Sequence, residues 1–295
     1  MDIINFGSLN IDHVYSVGEF VRPGETMAAG QYNVFCGGKG LNQSIAAARA
    51  GGKVFHAGVL GAGGEMLQEM LERSGVDTSL LMHSTEPQGH AIIQVAASGE
   101  NCILLFRGSN FAITQAYVDR VFAQIQAPGY IMLQNEISCL PYIIHQASAR
   151  GFPVVLNASP IDGTILELDL SQVSWLMINE VEGAQLTGQT RPEAILDALE
   201  QRYPALSVLL TLGKQGSVCQ CGGVRTYQEI YPVKAVDTTA AGDTFSGYFV
   251  AALAGGMPVK QAMNRAALAS AIAVTRKGAA PSIPSAEELE QANAK

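Results

Sequence analysis

The stretch YIMLQNEISCLPYIIHQASARGFPVVLNAS, Tyr130 to Ser159, sets two apolar runs on either side of a helical segment. YIMLQNE (130–136) and PVVLNAS (153–159) are near-continuous in hydrophobicity, as strands covered on both faces are. The unit then repeats. WLMINE (175–180) leads through helical spacing around PEAILDALEQRY to SVLLTLG (207–213). Towards the N-terminus, DIINFGSLN precedes the helical LNQSIAAARAGG and the strand-like VFHAGVLG (54–61). Strand, helix, strand in this order predicts an α/β fold: a doubly wound, mostly parallel sheet flanked by helices. Ligands of such sheets sit beyond the carboxyl ends of the strands.

Two segments break the pattern. HVYSVGEFVRPGETMAAGQYNVF (13–35) alternates like a hairpin, and GHAIIQVAASGENCILLFRG (89–108) is two strand-like runs joined by ASGEN. They are expected to form a small β-sheet lid, or else two surface hairpins without a role. The organisation read from the chain is an α/β nucleotide- and substrate-binding domain over 1–12, 36–88 and 108–295. A β-lid and dimerisation subdomain takes 13–35 and 89–107. The tail PSAEELEQANAK (284–295) reads as a short terminal helix or a frayed end.

Composition narrows the class. The 295 residues are 48% hydrophobic and only 15% charged, enough for a substantial core. With a formal charge of −8 and no basic run, the chain is not expected to bind nucleic acid or an anionic membrane. MDIINFGSLNID lacks the basic and apolar regions of a secretion signal, and no apolar stretch reaches membrane-spanning length, so a cytoplasmic location is expected. Cys36, Cys102, Cys139, Cys219 and Cys221 are odd in number and lack a zinc-type spacing, which predicts free thiols.

The segment DTTAAGDTFSGYF, Asp237 to Phe249, carries the most chemistry. Phe245, Tyr248, Phe249, Ala252 and Leu253 recur at helical spacing, so a helix starting near Asp243 should bury that face. The amides of Ala241, Gly242 and Asp243 would then be open donors, with no bulky side chain to keep a phosphate away. Asp243 is either a helix cap or a base set inside that cradle. The helix dipole favours its ionised form, which weakens a base. A loose phosphoryl-transfer transition state tolerates this, because the attacking hydroxyl loses its proton late.

Other candidates lie at predicted strand exits and helix starts. In CGGKGLNQS, Gly38, Lys39 and Asn42 would line a polar crevice that reads hydroxyls. Asn10 and Asp12 follow the first strand, with an Asx turn as the alternative. Glu136 ends YIMLQNE and is either a ligand or a helix-start residue. Asn179 and Glu182 share a face and would hold a hydrated Mg²⁺, or else cap a helix as a pair. TLGKQGS (211–217) is a Gly-rich strand exit suited to nucleotide phosphates. No P-loop spacing occurs, and GVLGAGGEM has Met66 where a dinucleotide fingerprint needs glycine, which counts against a NAD-linked oxidoreductase.

Taken together, these motifs resemble the ribokinase-like (PfkB) family of carbohydrate kinases from Ile4 to Pro284. GGKGLNQS resembles the family's N-terminal signature and DTTAAGDTFSGYF its C-terminal one. GSLNID, MLQNE, NEVE, TLGKQG and VTRKGAAPSIP fit the ribokinase branch best. The resemblance implies Asp243 as base, with Gly242 and Ala241 in the anion hole for the transferred phosphoryl. It implies that Asn10, Asp12, Gly38, Lys39, Asn42 and Glu136 bind the sugar. Asn179, Thr211, Leu212, Gly213, Gly216 and Gly242 would bind ATP, with Glu182 supporting Mg²⁺ indirectly. Asp237, Thr239, Ala273, Arg276, Gly278 and Ser282 correspond to a monovalent-cation site, K⁺ being the expected ion.

The chain departs from the family at a few places. Thr239 replaces a larger aliphatic, Ala267 stands where relatives place Asn or His beside adenine, and Asn135 precedes the glutamate in place of an apolar residue. Phe106, Arg107 and Phe111 are larger or more charged than usual near the lid. The activity implied is ATP-dependent phosphorylation of the terminal hydroxymethyl of a pentose, ribose or a close relative, in a homodimer built by lid pairing. The alternative within the family is a nucleoside or pseudouridine kinase, with Phe106 and Phe111 as a shelf for the base.

Overall fold

A computed structural model describes residues 1–293. Eight strands form the main sheet, in the order Val224–Gln228, Ser217–Cys221, Ser207–Thr211, Trp175–Asn179, Val154–Asn157, Gly129–Gln134, Asp2–Phe6 and Val54–Ala57. From Ser207–Thr211 onward every pairing is parallel. The apolar runs are buried on both faces. Ile4, Phe6, Ile131, Leu133, Leu156 and Ile178 point into one core, and Ile3, Met132, Val155, Met177 and Leu209 into the other. This period-two division explains why the strands show no polar alternation.

Three departures from the sequence reading have local causes. The edge pair Ser217–Cys221 and Val224–Gln228 is antiparallel and was not anticipated. Its signal is the Gly222-Gly223 pair, both residues at positive φ as a type I′ hairpin turn requires. VFHAGVLG is not one strand. Val54–Ala57 joins the main sheet, and Val59–Ala62 leaves it to pair with Met82–Pro87. The helix expected near Asp243 starts at Ala241 and runs to Ala254, buried all round from Asp243 onward rather than on one face. Such a helix can be apolar throughout because it is surrounded by protein.

A separate four-stranded sheet has the order Gln31–Gly37, Asn10–Val17, His90–Ala96, Asn101–Phe106. Its two hairpins are antiparallel as expected, but the central pair, Asn10–Val17 with His90–Ala96, is parallel. Asn10 and Asp12 begin a strand of this sheet rather than trailing the first strand of the main one. Across the sheet Asp12 lies level with Ala91 and Leu105, while Phe106 lies level with His90 and Ile11. Phe106 therefore faces the side opposite Asp12, contrary to its expected place by the substrate. The tail forms the helix Ala286–Asn293, and the remainder of that reading, residues 294 and 295, lies outside the described residues.

Candidate active site

The carboxyl ends of the parallel strands open onto a cleft of about 250 Å³. Ala240, Ala241, Gly242 and Asp243 line one wall, Asn179, Glu182 and Thr211 another, and Lys39 and Asn157 also reach it. Ala240, just before the helix, sits in the left-handed region at φ 58° and turns the chain sharply into it. Of the three donors expected there, the Ala241 amide is spent on the Thr238 carbonyl at 3.2 Å, so the open pair is Gly242 and Asp243. A Cβ added at Gly242 would meet no protein atom within 4 Å. No packing contact in the fold therefore calls for glycine at this position.

Asp243 is buried and held from the neighbouring helix Lys39–Arg49. Asn42 Nδ2 donates to Oδ2 at 3.0 Å, and Gln43 Nε2 donates to Oδ1 at 2.9 Å. The helices approach this closely because Gly247 has no side chain, where a Cβ would strike Ala46 and the backbone at Gln43 and Ala47. Asn42 Oδ1 is buried and finds no hydrogen-bond partner among the described residues. A buried acceptor left open in this way suits a ligand hydroxyl.

Three carboxylates and one ammonium meet beyond it. Glu136 accepts from Ser8 Oγ at 2.5 Å and from the Lys39 amide at 3.0 Å. Burial pushes the Glu136 carboxyl upward from its ordinary range despite the Lys39 charge and these bonds. Asp12 is pushed up to about 7, by burial first and then by the charges of Glu136 and Asp243. Burial opposes the charged form of Lys39, but Asp243, Glu136 and Glu182 outweigh it and hold its affinity for a proton above the ordinary value. Lys39 lines the cleft with Gly242 and Glu182, while its backbone amide holds Glu136. Asn10 Oδ1 accepts from Asn110 Nδ2 at 2.7 Å, which turns the Asn10 amide donors away from Asn110. Gly37 and Gly38 leave room for this corner. A side chain at Gly37 would overlap the Asp12 carboxylate, and Gly38 lies at φ 94°.

Comparison with known proteins agrees with this geometry. The family model for "pfkB family carbohydrate kinase" matches residues 2–286. The chain belongs to that family. It is 37% identical to the ribokinase of Haemophilus influenzae over 291 residues, 96% of this chain and 95% of that one. The ribokinase structure from Thermotoga maritima is 31% identical and superposes with a TM-score of 0.88, covering 100% and 99% of the two chains. The Arabidopsis thaliana ribokinase complexed with ribose and ATP gives 0.86 at 28% identity, covering 98% and 97%. The protein is thus a phosphotransferase acting on an alcohol group, a sugar kinase that uses ATP.

Within this kinase, Asn179 and Glu182 form the capping pair: Asn179 Oδ1 accepts from the Glu182 amide, and Glu182 Oε2 from the Asn179 amide, both at 2.9 Å. The capping reading of the pair is borne out, and both residues also line the cleft. Thr211 lines it as well, whereas Leu212, Gly213 and Gly216 lie on the turn just beyond. Gly216, at φ 92°, is needed where its backbone crowds the Gln228 carbonyl.

Around the expected cation site, Asp237 accepts from the amide and hydroxyl of Thr239, at 2.9 and 2.6 Å, and from the Gly278 amide at 2.9 Å. Burial pushes Asp237 upward, but these bonds and Lys277 outweigh it and hold the carboxyl below its usual range. Ala273 ends its helix five residues before Gly278, and Ser282 is buried with its hydroxyl on the Ala279 carbonyl. The Arg276 guanidinium pairs with Glu288 at 2.6 Å and, being a cation without acceptors, cannot ligate another, so its backbone carbonyl is the group that could serve a cation.

Sequence reasoning missed Ser8, Gln43, Asn110, Asn157 and Ser246. Asn110 lies between Arg107 and Phe111, a polar residue with no local sequence signal of its own. Arg107 stacks over Phe111 at 4.3 Å and lies 3.8 Å from Asp162, and so bridges the small sheet to the loop at Asp162.

Proposed function

We propose that the protein transfers the γ-phosphoryl of ATP to the terminal hydroxymethyl of a pentose, ribose or a close relative. The observation that carries the reading is the helix start at Gly242 and Asp243: open amides beside a buried carboxylate, with empty space where a side chain could have been. In the reaction, the sugar hydroxyl loses its proton to Asp243 as its oxygen bonds phosphorus and the bond to ADP breaks. Gly242 and Asp243 amides and the Lys39 ammonium face the charge on the transferring group. Asn10, Asp12, Asn42 and Glu136 read the sugar hydroxyls. Asn179, Thr211 and the turn through Gly216 take the nucleotide.

Glu182, with its carboxylate in the cleft, fits a role in holding hydrated Mg²⁺, which neutralises phosphate charge when bound. Asp237, Thr239, Ala273, Arg276, Gly278 and Ser282 supply an oxygen-rich set for a monovalent cation, K⁺ in our reading. That cation would act by ordering the loop that leads into Ala240. We place the protein in the cytoplasm. The described residues include no helix long and apolar enough to cross a membrane.

Phe106 on the far side of the small sheet supports the free sugar over a nucleoside, because it leaves only Phe111 of the two aromatic residues that could shelve a base. The small sheet serves as the lid and, through its edge, as the dimer contact. The test is turnover on ribose, deoxyribose, fructose, nucleosides and pseudouridine with ATP, with and without K⁺. We expect pentoses to lead and K⁺ to raise kcat. Turnover on nucleosides alone would sink the free-sugar reading.

A further inference from the structure

We infer that Gln43 is a positioning residue for the Asp243 carboxylate, and that it fixes which carboxylate oxygen receives the substrate proton. The inference rests on Asp243 being the base. Gln43 is fully buried, and its amide is engaged at both ends: Nε2 on Asp243 Oδ1 at 2.9 Å and Oε1 on Gln134 Nε2 at 2.8 Å. A flipped amide would set oxygen against a carboxylate and nitrogen against nitrogen, so only one orientation is tolerated.

That orientation is enforced from deep in the protein. Gln134 Nε2 also donates to Asn5 Oδ1 at 3.0 Å, and Asn5 Nδ2 donates to Ser44 Oγ at 2.8 Å. Ser44 Oγ meets His56 Nδ1 at 2.8 Å, and His56 Nε2 faces the Gly7 carbonyl at 3.2 Å. A carbonyl can only accept, so Nε2 carries the proton, Nδ1 accepts, and Ser44 donates to it. Each bond in the series then has a fixed direction: donation runs outward from Gln134 Nε2, one way through Gln43 to Asp243 and the other through Asn5, Ser44 and His56 to the Gly7 carbonyl. Asn5, Gln43, Ser44, His56 and Gln134 are all 0% exposed.

Five buried polar side chains are costly, the more so as Gln134 Oε1 finds no partner among the described residues, and apolar residues of similar shape would serve packing as well. What the polar series does that an apolar core would not is hold one carboxylate rotation. Both oxygens accept an amide N–H, Oδ1 from Gln43 and Oδ2 from Asn42, but only Asn42 keeps an open acceptor for a sugar hydroxyl, so the hydroxymethyl proton is assigned to Oδ2. That oxygen lies beside Asn42, whose own Oδ1 is open to the same sugar. As the proton moves, the sugar oxygen forms its bond to phosphorus and the ADP oxygen leaves with the former bonding pair.

Gln43→Glu tests this with almost no change of shape, since it keeps the acceptor toward Gln134 and removes only the donor toward Asp243. Asp12, Lys39 and Glu136, the other charged groups facing Asp243, are left in place, as is Glu182 beyond Lys39. With two carboxyls then competing for one proton, kcat at pH 7 should fall about 10- to 100-fold, the scale of one hydrogen bond to a charged group. The acid limb of its pH profile should move up by about a unit or more. KM for sugar and for ATP should stay within roughly threefold. Gln43→Met should lower kcat comparably, with ADP binding by calorimetry retained as the check on folding.

If Gln43→Glu keeps kcat within about twofold and the limb in place, or raises KM with kcat intact, the inference is overturned. Asp243→Asn is run alongside: if it keeps kcat within about tenfold, the base reading fails instead, whatever the Gln43 variants do.

Discussion

At the scale of single residues, Asp12 makes the clearest prediction. Its carboxyl is held at about 7 in the folded chain against 3.8 ordinarily, so between those values the folded state keeps a proton that the unfolded state has lost. Raising pH through that window therefore removes stability. Asp12→Asn should match the parent near pH 4 and melt roughly a few degrees higher at pH 8, while its KM for sugar rises about tenfold or more. A thermal-shift series over pH checks the first, and initial-rate kinetics the second. Glu136 and Asp243 were legible in the sequence because each is polar where an apolar strand ends or a helix starts. Asn10 and Asp12 were legible because they are polar just past the first apolar run, although they begin a strand of the small sheet. Gln43 and Asn110 were not. Inside LNQSIAAAR a glutamine looks like any polar residue on a helix, and it gains its task only when Gln134 and Asp243 are folded against it.

Among the elements, the Ala241–Ala254 helix joins packing to chemistry. Its close crossing with Lys39–Arg49 at Gly247 brings Asn42 and Gln43 to Asp243, and its first turn keeps two amides open. Gly242→Ala separates these duties. The added methyl meets no protein atom, so the melting temperature should hold or rise slightly, since alanine favours helix by up to about 1 kcal/mol. kcat should nevertheless drop at least about tenfold, because the methyl occupies the approach to the amides. Unchanged kcat in a well-folded variant would show that nothing stands before Gly242 in the reaction. The parallel strands were readable from their unbroken apolar runs. The edge hairpin was not, because its short strands follow TLGKQGS without an intervening helix, and only Gly222-Gly223 marked the reversal.

For the whole molecule, the small sheet ends in an unusual edge. Asn101–Phe106 is exposed along its full length, with Ile103 at 56% and Leu104 at 68% exposure. A free apolar edge strand is a template for pairing, and a second copy of the same sheet would cover it. We expect a dimer by light scattering at micromolar protein, and a monomer once Leu104→Lys puts charge on that edge. A monomer in the parent would remove the lid-pairing proposal.

The same sheet is rooted in the site, since the strand that carries Asn10 and Asp12 continues to Val17 at its centre. Sugar gripped by the first residues of that strand is thereby tied to the hydrogen-bond ladder of all four. Sugar binding should then slow amide hydrogen exchange in Gln31–Gly37 and His90–Ala96 out to their far ends, while leaving the Val259–Ala273 helix unchanged. The rate at which backbone amides open far from the ligand becomes a measure of how firmly the sugar is held.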